Sequence, residues 1–163
     1  IFMALSLAAF FVPFTLGHPQ WLVGSAVNAA LFLAAAYLPK KYFIPLAILP
    51  SLGVLSRGLV FGPLTMFLVY FLPFIWIGNL ILILVFSNSF PSFGFLKSIV
   101  LAAAAKFLAL ILTATLYVKF SIAPAIFLNL MGTNQLATAL AGGVTAWVIF
   151  LIYGSFFRSA RVK

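Results

Sequence analysis

The stretch that decides the fold is residues 132–157, GTNQLATALAGGVTAWVIFLIYGSFF, which opens on polar residues and carries no charge. A helix needs about 20 apolar residues to cross the hydrocarbon core of a bilayer, so this stretch predicts a membrane-spanning helix. Gln135, Thr138, Gly142 and Thr145 are spaced so that they lie on one side of that helix. In lipid such a side faces protein or a cavity, because unpaired polar groups are costly in hydrocarbon. We expect this side either to border a binding site or to allow close helix packing.

The composition of the whole chain agrees with this interpretation. Of its 163 residues, 66% are hydrophobic and 6% are charged, and the mean hydropathy is +1.32. A soluble domain has about a quarter of its residues charged, so these residues cannot cover a water-soluble surface. The apolar runs are continuous, whereas the strands of a membrane β-barrel alternate polar and apolar residues. The composition therefore predicts an all-α membrane protein.

Prolines, glycines and charged residues divide the chain into six predicted transmembrane helices, which form one compact bundle in a single domain. The predicted spans are residues 1–16, 21–38, 42–60, 64–86, 97–118 and 134–157. A turn at 61–63, a polar loop at 87–95 and a longer connection at 119–131 separate the later spans. The expected location is the inner (plasma) membrane, crossed several times.

The distribution of Lys and Arg predicts the orientation of this bundle. With the N- and C-termini cytoplasmic, six cationic residues lie inside: Lys40, Lys41, Lys97, Arg158, Arg161 and Lys163. Lys119 then lies outside, and Arg57 lies near the outer end of the third span. This arrangement obeys the positive-inside rule, which the inverted arrangement violates.

The absence of acidic residues narrows the possible functions. The chain has no Asp, no Glu and no Cys, and its one histidine is His18. Paired carboxylates for acid–base catalysis, carboxylates for proton coupling and ligand sets for metal ions are therefore missing. We expect neither an enzyme nor a metal or cofactor site. The cationic residues are scattered at predicted membrane edges, so we do not expect a nucleic-acid partner. The expected partners are the lipid bilayer and an anionic or neutral ligand.

Lys106 is the most informative single residue, because it lies near the middle of the fifth predicted span. A charged side chain at that depth costs roughly 3 kcal/mol, and no carboxylate in this chain can pair with it. Three explanations remain open at this stage. The amine binds an anionic ligand or cavity water, reaches lipid phosphate by snorkelling, or is neutral in an apolar pocket.

In the predicted orientation, polar side chains from several spans converge in the outer half of the bundle. We expect a substrate-binding chamber there, formed by Gln20, Asn28, Arg57, Lys106, Asn134, Gln135 and Thr138. Other roles are open for some of them. Asn28, like Asn79 in the fourth span, could instead make interhelical hydrogen bonds, and Arg57 could anchor to lipid headgroups.

This layout resembles the substrate-binding S components of energy-coupling factor (ECF) vitamin transporters. The pair Ala4 and Ala8 in the first span matches the Ala-xxx-Ala pattern that such proteins often carry in their first helix. The stretches WLVGSAVNAALFLAA, FIWIGNLILILVF and NQLATALAGG also resemble a small six-helix bacterial membrane family of similar layout. The resemblance implies a six-helix bundle that captures a small molecule near its outer face. It also implies a transmembrane T component, contacted through Ala4 and Ala8, and two ATPases as partners.

The sequence thus leads to one expected function and two alternatives. We expect a membrane-embedded component that binds a small, anionic or neutral, vitamin-like solute for uptake, working with an ATP-driven ECF-type module. The first alternative is a non-catalytic accessory or structural subunit, whose small-residue helix faces bind other membrane proteins. The second is a lipid-handling or channel-like protein that uses Lys106 and Arg57 on lipid headgroups.

Overall fold

The protein is built from α-helices joined by short connections. The computed structural model describes residues 1–16, 19–57 and 65–159, of which 65, 66, 68 and 154–159 are described by their backbone alone. The elements are α1 (Phe2–Thr15), α2 (Gln20–Tyr37), a 3-10 turn (Lys40–Tyr42), α3 (Phe43–Ser56), α4 (Thr65–Lys119), α5 (Ile126–Met131) and α6 (Thr133–Ser159). All regular structure in the described ranges is helical, which confirms the predicted all-α class. His18, Arg161, Lys163 and the predicted turn at 61–63 lie outside these ranges.

Helix α4 consists of two antiparallel arms, residues 65–93 and 95–119. Gly94 separates them with φ 73° and ψ 175°, a backbone conformation that is essentially restricted to glycine. The ring centroids of Phe86 and Phe95 lie 4.9 Å apart beside this kink. At the far end of the two arms, those of Phe71 and Tyr117 are also 4.9 Å apart. The chain therefore reverses direction at one residue, and the predicted polar loop at 87–95 is wrong, because 87–93 continue the helix.

Helix α2 is the central helix of the bundle. It contacts α1, α3, α4 and α6, and its residues 27–32 are all buried, so no side of that segment faces outward. Its most extensive contact is with α6, where Gly142 lies directly against the α2 backbone. A Cβ atom added at Gly142 would overlap the carbonyl oxygen of Ser25 and come within 2.7 Å of Asn28 Cβ. The glycine thus permits the close approach of the two helices.

The outer surface of the bundle is apolar. Large side chains such as Leu108, Leu112 and Ile152 are each more than 60% exposed, which suits lipid rather than water. Within the described residues, three helical stretches are long and apolar enough to cross a membrane: Gln20–Tyr37, Val69–Lys119 and Ile126–Tyr153. The second of these contains both arms of α4. The chain is therefore an all-α membrane protein. Its division into six spans and the cytoplasmic location of its termini remain predictions.

The connection between α4 and α6 folds back onto the helices instead of extending away from them. The backbone amide of Ile122 donates to the carbonyl oxygen of Tyr117 at 2.8 Å, and Ser121 adopts a positive φ of 56°. Helix α5 then places Phe127 on Phe71, with parallel rings whose centroids are 4.9 Å apart. This packing fixes the start of α6 beside the start of α2, which brings the polar first turns of both helices together.

Candidate functional site

A cavity of about 350 Å³ lies at the end of the bundle where α2 and α6 begin and where α1 and α3 end. Its volume falls within the range of small-molecule sites, about 300–1,000 Å³. Its apolar wall consists of Pro13, Trp21, Val23, Gly24, Val27, Pro50, Val54, Leu72, Ile75, Met131 and Ala137. Its polar lining consists of Gln20, Asn28, Ser51, Asn79, Lys106, Asn134, Gln135 and Thr138.

The inner part of the cavity, which we call the base, consists of Asn28, Asn79 and Lys106. The Lys106 Nζ donates to Asn28 Oδ1 at 2.9 Å and to Asn79 Oδ1 at 2.8 Å. Lys106 is only 2% exposed, so its amine lies inside the protein and does not reach the lipid headgroups. This geometry excludes the snorkelling explanation for Lys106.

Each asparagine of the base is held so that its oxygen faces the lysine. Asn28 Nδ2 donates to the carbonyl oxygen of Gly24 at 2.9 Å and, at 3.4 Å, to Thr138 Oγ1. Asn79 Nδ2 donates to the carbonyl oxygen of Ala47 at 3.0 Å. The lysine amine donates to both asparagines, so each asparagine must turn its oxygen toward Lys106 and its NH₂ group toward the helix carbonyl oxygens. These partners define the orientation of both amides. The base therefore connects α2, α3, α6 and both arms of α4 through one hydrogen-bond network.

The hydroxyl groups that line the cavity are already engaged with the helices. Ser51 Oγ donates to the carbonyl oxygen of Ile48 at 2.9 Å and accepts a hydrogen bond from Trp76 Nε1. Thr138 Oγ1 donates to the carbonyl oxygen of Asn134 at 2.8 Å. A hydroxyl has one hydrogen to donate, so neither group has a free donor for a ligand.

The outer part of the cavity, which we call the mouth, consists of Gln20, Asn134 and Gln135. Gln20 and Gln135 are half-buried and Asn134 is exposed. None of the three side-chain amides makes a hydrogen bond within the described part of the chain, whereas both asparagines of the base are bonded. Trp21, which also borders the cavity, is 65% exposed. The mouth therefore offers amide groups that are free to bind water or a ligand.

Six of the seven predicted substrate-binding residues line this one cavity, and the seventh does not. Gln20, Asn28, Lys106, Asn134, Gln135 and Thr138 are the six that line it. Arg57 is exposed, and its Nη1 donates to the carbonyl oxygen of Thr15 at 2.8 Å. It thereby caps the end of α1 and is not among the described residues of the cavity.

Two other sequence predictions concern faces of single helices. Gln135, Thr138 and Gly142 do face the cavity or α2, but Thr145 is exposed and donates its hydroxyl hydrogen to the carbonyl oxygen of Ala141. The predicted polar face of α6 therefore ends one turn early. On α1, Ala4 is exposed and Ala8 is half-buried, and neither borders the cavity.

Asn79 was favoured for interhelical hydrogen bonding and was not among the predicted substrate-binding residues, and neither Ser51 nor Trp76 was singled out from the sequence. Asn79 does bridge helices, but it also lines the cavity and binds Lys106. The signal that could have revealed it is the turn between the two spans. Asn79 lies 15 positions before Gly94, and Lys106 lies 12 positions after it. Two antiparallel helices joined near Gly94 therefore place these two residues at similar depth.

Comparison of the chain with protein-family models, with curated proteins and with solved structures finds no match. The geometry of the cavity and the chemistry of its residues are therefore the guide to the function of this chain.

Proposed function

We propose that this protein is a membrane-embedded binding component for the uptake of a small, anionic or neutral, vitamin-like solute. The observation that carries the proposal is Lys106, a buried amine that borders a ligand-sized cavity in a chain without Asp or Glu. Ionisable residues at membrane depth are rare and mark functional sites. A bound anion would supply the negative charge that the chain itself lacks, and the apolar wall would accept the body of the solute.

The distribution of cationic residues supports an outward-facing cavity. Lys40 donates to Asn88 Oδ1 at 2.9 Å, so it lies at the end of the bundle opposite the cavity, together with the neighbouring Lys41. Lys97 follows the kink at Gly94 and belongs to that end as well. The cavity end carries Arg57 and Lys119. With the positive-inside rule, this distribution favours six spans, cytoplasmic termini and a cavity that opens to the exterior.

Cysteine substitution tests this orientation directly, because the chain has no Cys of its own. Asn134→Cys should react with a membrane-impermeant thiol reagent added to intact cells, and Lys41→Cys should react only after the membrane is opened. The reverse pattern would contradict the proposed orientation.

We further propose that an ATP-driven partner module delivers the solute to the cell interior. The chain has no membrane carboxylate that could couple transport to protons, and no phosphate-binding loop that could use ATP itself. The identity of the module, a T component and two ATPases of ECF type, rests on the sequence resemblance alone. In this proposal the exposed Ala4 and the half-buried Ala8 belong to the surface that meets the T component. Copurification of the tagged chain from its own membranes tests this part, and an ATPase-free preparation would argue for the accessory or channel-like alternatives.

The solute-binding proposal is tested by thermal unfolding of the purified protein in lipid nanodiscs with a panel of vitamins and their precursors. A ligand at 100 times its Kd stabilises the folded state by about 2.7 kcal/mol, which is readily measured. At least one anionic or neutral compound should raise the unfolding midpoint of wild-type protein, and Lys106→Ala and Gln135→Ala should weaken that effect. Thr145→Ala, on the exposed side of α6, is the matched control. If no compound in the panel acts, the accessory-subunit alternative is favoured.

A further inference from the structure

With Lys106 protonated, the base of the cavity has two hydrogen-bond donors that have no partner in the described part of the protein. A protonated lysine amine has three N–H groups, and Lys106 donates two of them to the asparagine oxygens. The Asn79 amide has two N–H groups, and one is donated to Ala47. Asn28 uses both of its N–H groups within the described protein. The base thus presents one N–H of Lys106 and one N–H of Asn79. The two side chains are neighbours, because Lys106 Nζ lies 2.8 Å from Asn79 Oδ1.

Two neighbouring donors, one on a cation and one on a neutral amide, match one carboxylate group. A carboxylate is an acceptor with two oxygens, and charge-assisted hydrogen bonds are about twice as strong as neutral ones. A phosphate monoester carries about −1.5 to −2 charges at neutral pH, which exceeds the single cation among the described cavity residues. The excess would be left in a cavity with a mostly apolar wall, where unpaired charge is costly. The charge and the donors therefore both favour a monoanion.

Between the base and the mouth the wall is largely apolar, and its two hydroxyl groups, of Ser51 and Thr138, already donate to helix carbonyl oxygens. Val27, Val54, Leu72, Ile75 and Met131 line it, and none of them has a hydrogen-bonding side chain. From Gln20 at the mouth to Asn28 at the base, α2 rises by about 12 Å, at about 1.5 Å per residue. At the mouth, the unbonded amides of Gln20 and Gln135 can both donate and accept. A solute that fills this path is apolar in its middle and polar but uncharged at its outer end.

We infer that the cavity takes an elongated monocarboxylate whose carboxylate binds Lys106 and Asn79 and whose far end carries a neutral hydrogen-bonding group. The inference rests on the proposed function, in which this cavity binds a solute, and it specifies the chemical class of that solute. Lys106 serves as the charge partner, the apolar wall selects a hydrocarbon body, and Gln20 and Gln135 bind the outer group.

A comparison of three probes that differ only at one end tests the inference. The probes are N-acetyl-ε-aminocaproate, which has a carboxylate, an apolar chain and a distal amide, together with its primary amide and the analogue that carries a phosphate monoester in place of the carboxylate. Each is titrated to millimolar concentration into wild-type protein in nanodiscs, with the unfolding midpoint and the fluorescence of Trp21 as readouts. Trp21→Phe identifies the part of the fluorescence change that arises at the cavity. The carboxylate should raise the midpoint, and the amide and the phosphate monoester should bind at least tenfold more weakly.

Two variants complete the design. Lys106→Met should abolish the preference for the carboxylate. Gln135→Ala, which removes no hydrogen bond from the described part of the protein, should weaken all three probes by a similar factor. The comparison of end groups in wild-type protein stands even if Lys106→Met does not fold. Equal or tighter binding of the amide or the phosphate monoester overturns the inference while leaving the proposed function intact. Failure of the carboxylate probe also overturns it, and failure of the whole vitamin panel as well overturns the proposed function.

Discussion

One end of the helix bundle is closed and the other is open, although α2, α4 and α6 take part in both. At the closed end, Phe32, Phe86, Phe90, Phe95 and Phe150 form a continuous aromatic cluster, which we call the aromatic end. Their ring centroids lie 4.9 to 5.7 Å apart in successive contacts. At the open end, α2 and α6 border a cavity whose polar lining includes amides and one lysine. The contrast indicates that the cavity is not a general packing defect, because these helices pack closely wherever the sequence supplies aromatic and small residues.

The transition between the two ends occurs within a few residues on α2 and α6. Gly142 of α6 contacts α2 at Ser25 and Asn28, and one turn earlier Thr138 faces Gly24 across the same interface. Beyond Thr138, the side-chain amides of Gln135 and Asn134 have no hydrogen-bonding partner in the described part of the protein. Substitutions at the aromatic end should therefore lower the free energy of unfolding most strongly, and substitutions at the cavity should weaken solute binding.

The largest expected effect on stability is at the aromatic end. Phe86 is fully buried and contacts three other rings, so Phe86→Ala should lower the free energy of unfolding by about 3–5 kcal/mol. Unfolding in nanodiscs measures the loss, and the midpoint shift produced by a bound solute should be unchanged. A variant that loses solute binding along with stability would contradict the separation of the two ends.

The next effect is expected at the base of the cavity. Lys106→Met leaves the Oδ1 atoms of Asn28 and Asn79 without their shared donor, and a buried unsatisfied acceptor costs about 1–3 kcal/mol. The net destabilisation should be about 2–3 kcal/mol. The triple variant Lys106→Met, Asn28→Leu, Asn79→Leu should regain stability, because an apolar replacement of a whole polar network is often neutral. Neither variant should bind an anionic solute, so stability without recovered binding is the diagnostic result.

A smaller loss is expected at the boundary between the two ends. Gly142→Ala places a Cβ atom against the α2 backbone, and overpacking of this kind costs about 1–3 kcal/mol. Because the helices must separate beside Asn28, this variant should also weaken solute binding, unlike Phe86→Ala. Equilibrium unfolding and solute titration measure the two effects. Unchanged stability would show that α2 and α6 do not lie this close together.

The smallest effect on stability is expected at the mouth. Gln135→Ala removes a half-buried amide that has no described partner, so the free energy of unfolding should change by less than about 0.5 kcal/mol. Solute binding should weaken about fivefold, which corresponds to roughly 1 kcal/mol for one lost hydrogen bond. Thr145→Ala on the exposed side of the same helix should change neither quantity. Equal effects of the two variants would remove the mouth from the binding site.

Part of this contrast was predictable from the sequence. The lone charge of Lys106 and the helical spacing from Gln135 to Gly142 predicted a polar chamber, because charged and polar groups in a membrane need partners. The position of Arg57 was not predictable, since a guanidinium near a helix end can equally bind lipid, ligand or, as here, a free carbonyl oxygen at the end of α1. The extent of α4 was also missed, because a single glycine with positive φ reverses the chain without any loop.

The proposal that Lys106 makes the cavity a site for anions is tested most directly by the charge preference of a thiol placed between the base and the mouth. Thr138→Cys introduces the only cysteine of the chain, beside Asn28 and within the cavity. Its rates of reaction with anionic sulfonatoethyl and cationic trimethylammonium-ethyl methanethiosulfonate are each divided by the rate with free mercaptoethanol. We expect the normalised rate to be higher for the anionic reagent than for the cationic one, and we expect Lys106→Met to remove this difference. A thiol that reacts with neither reagent, or that prefers the cation while Lys106 is present, would contradict it.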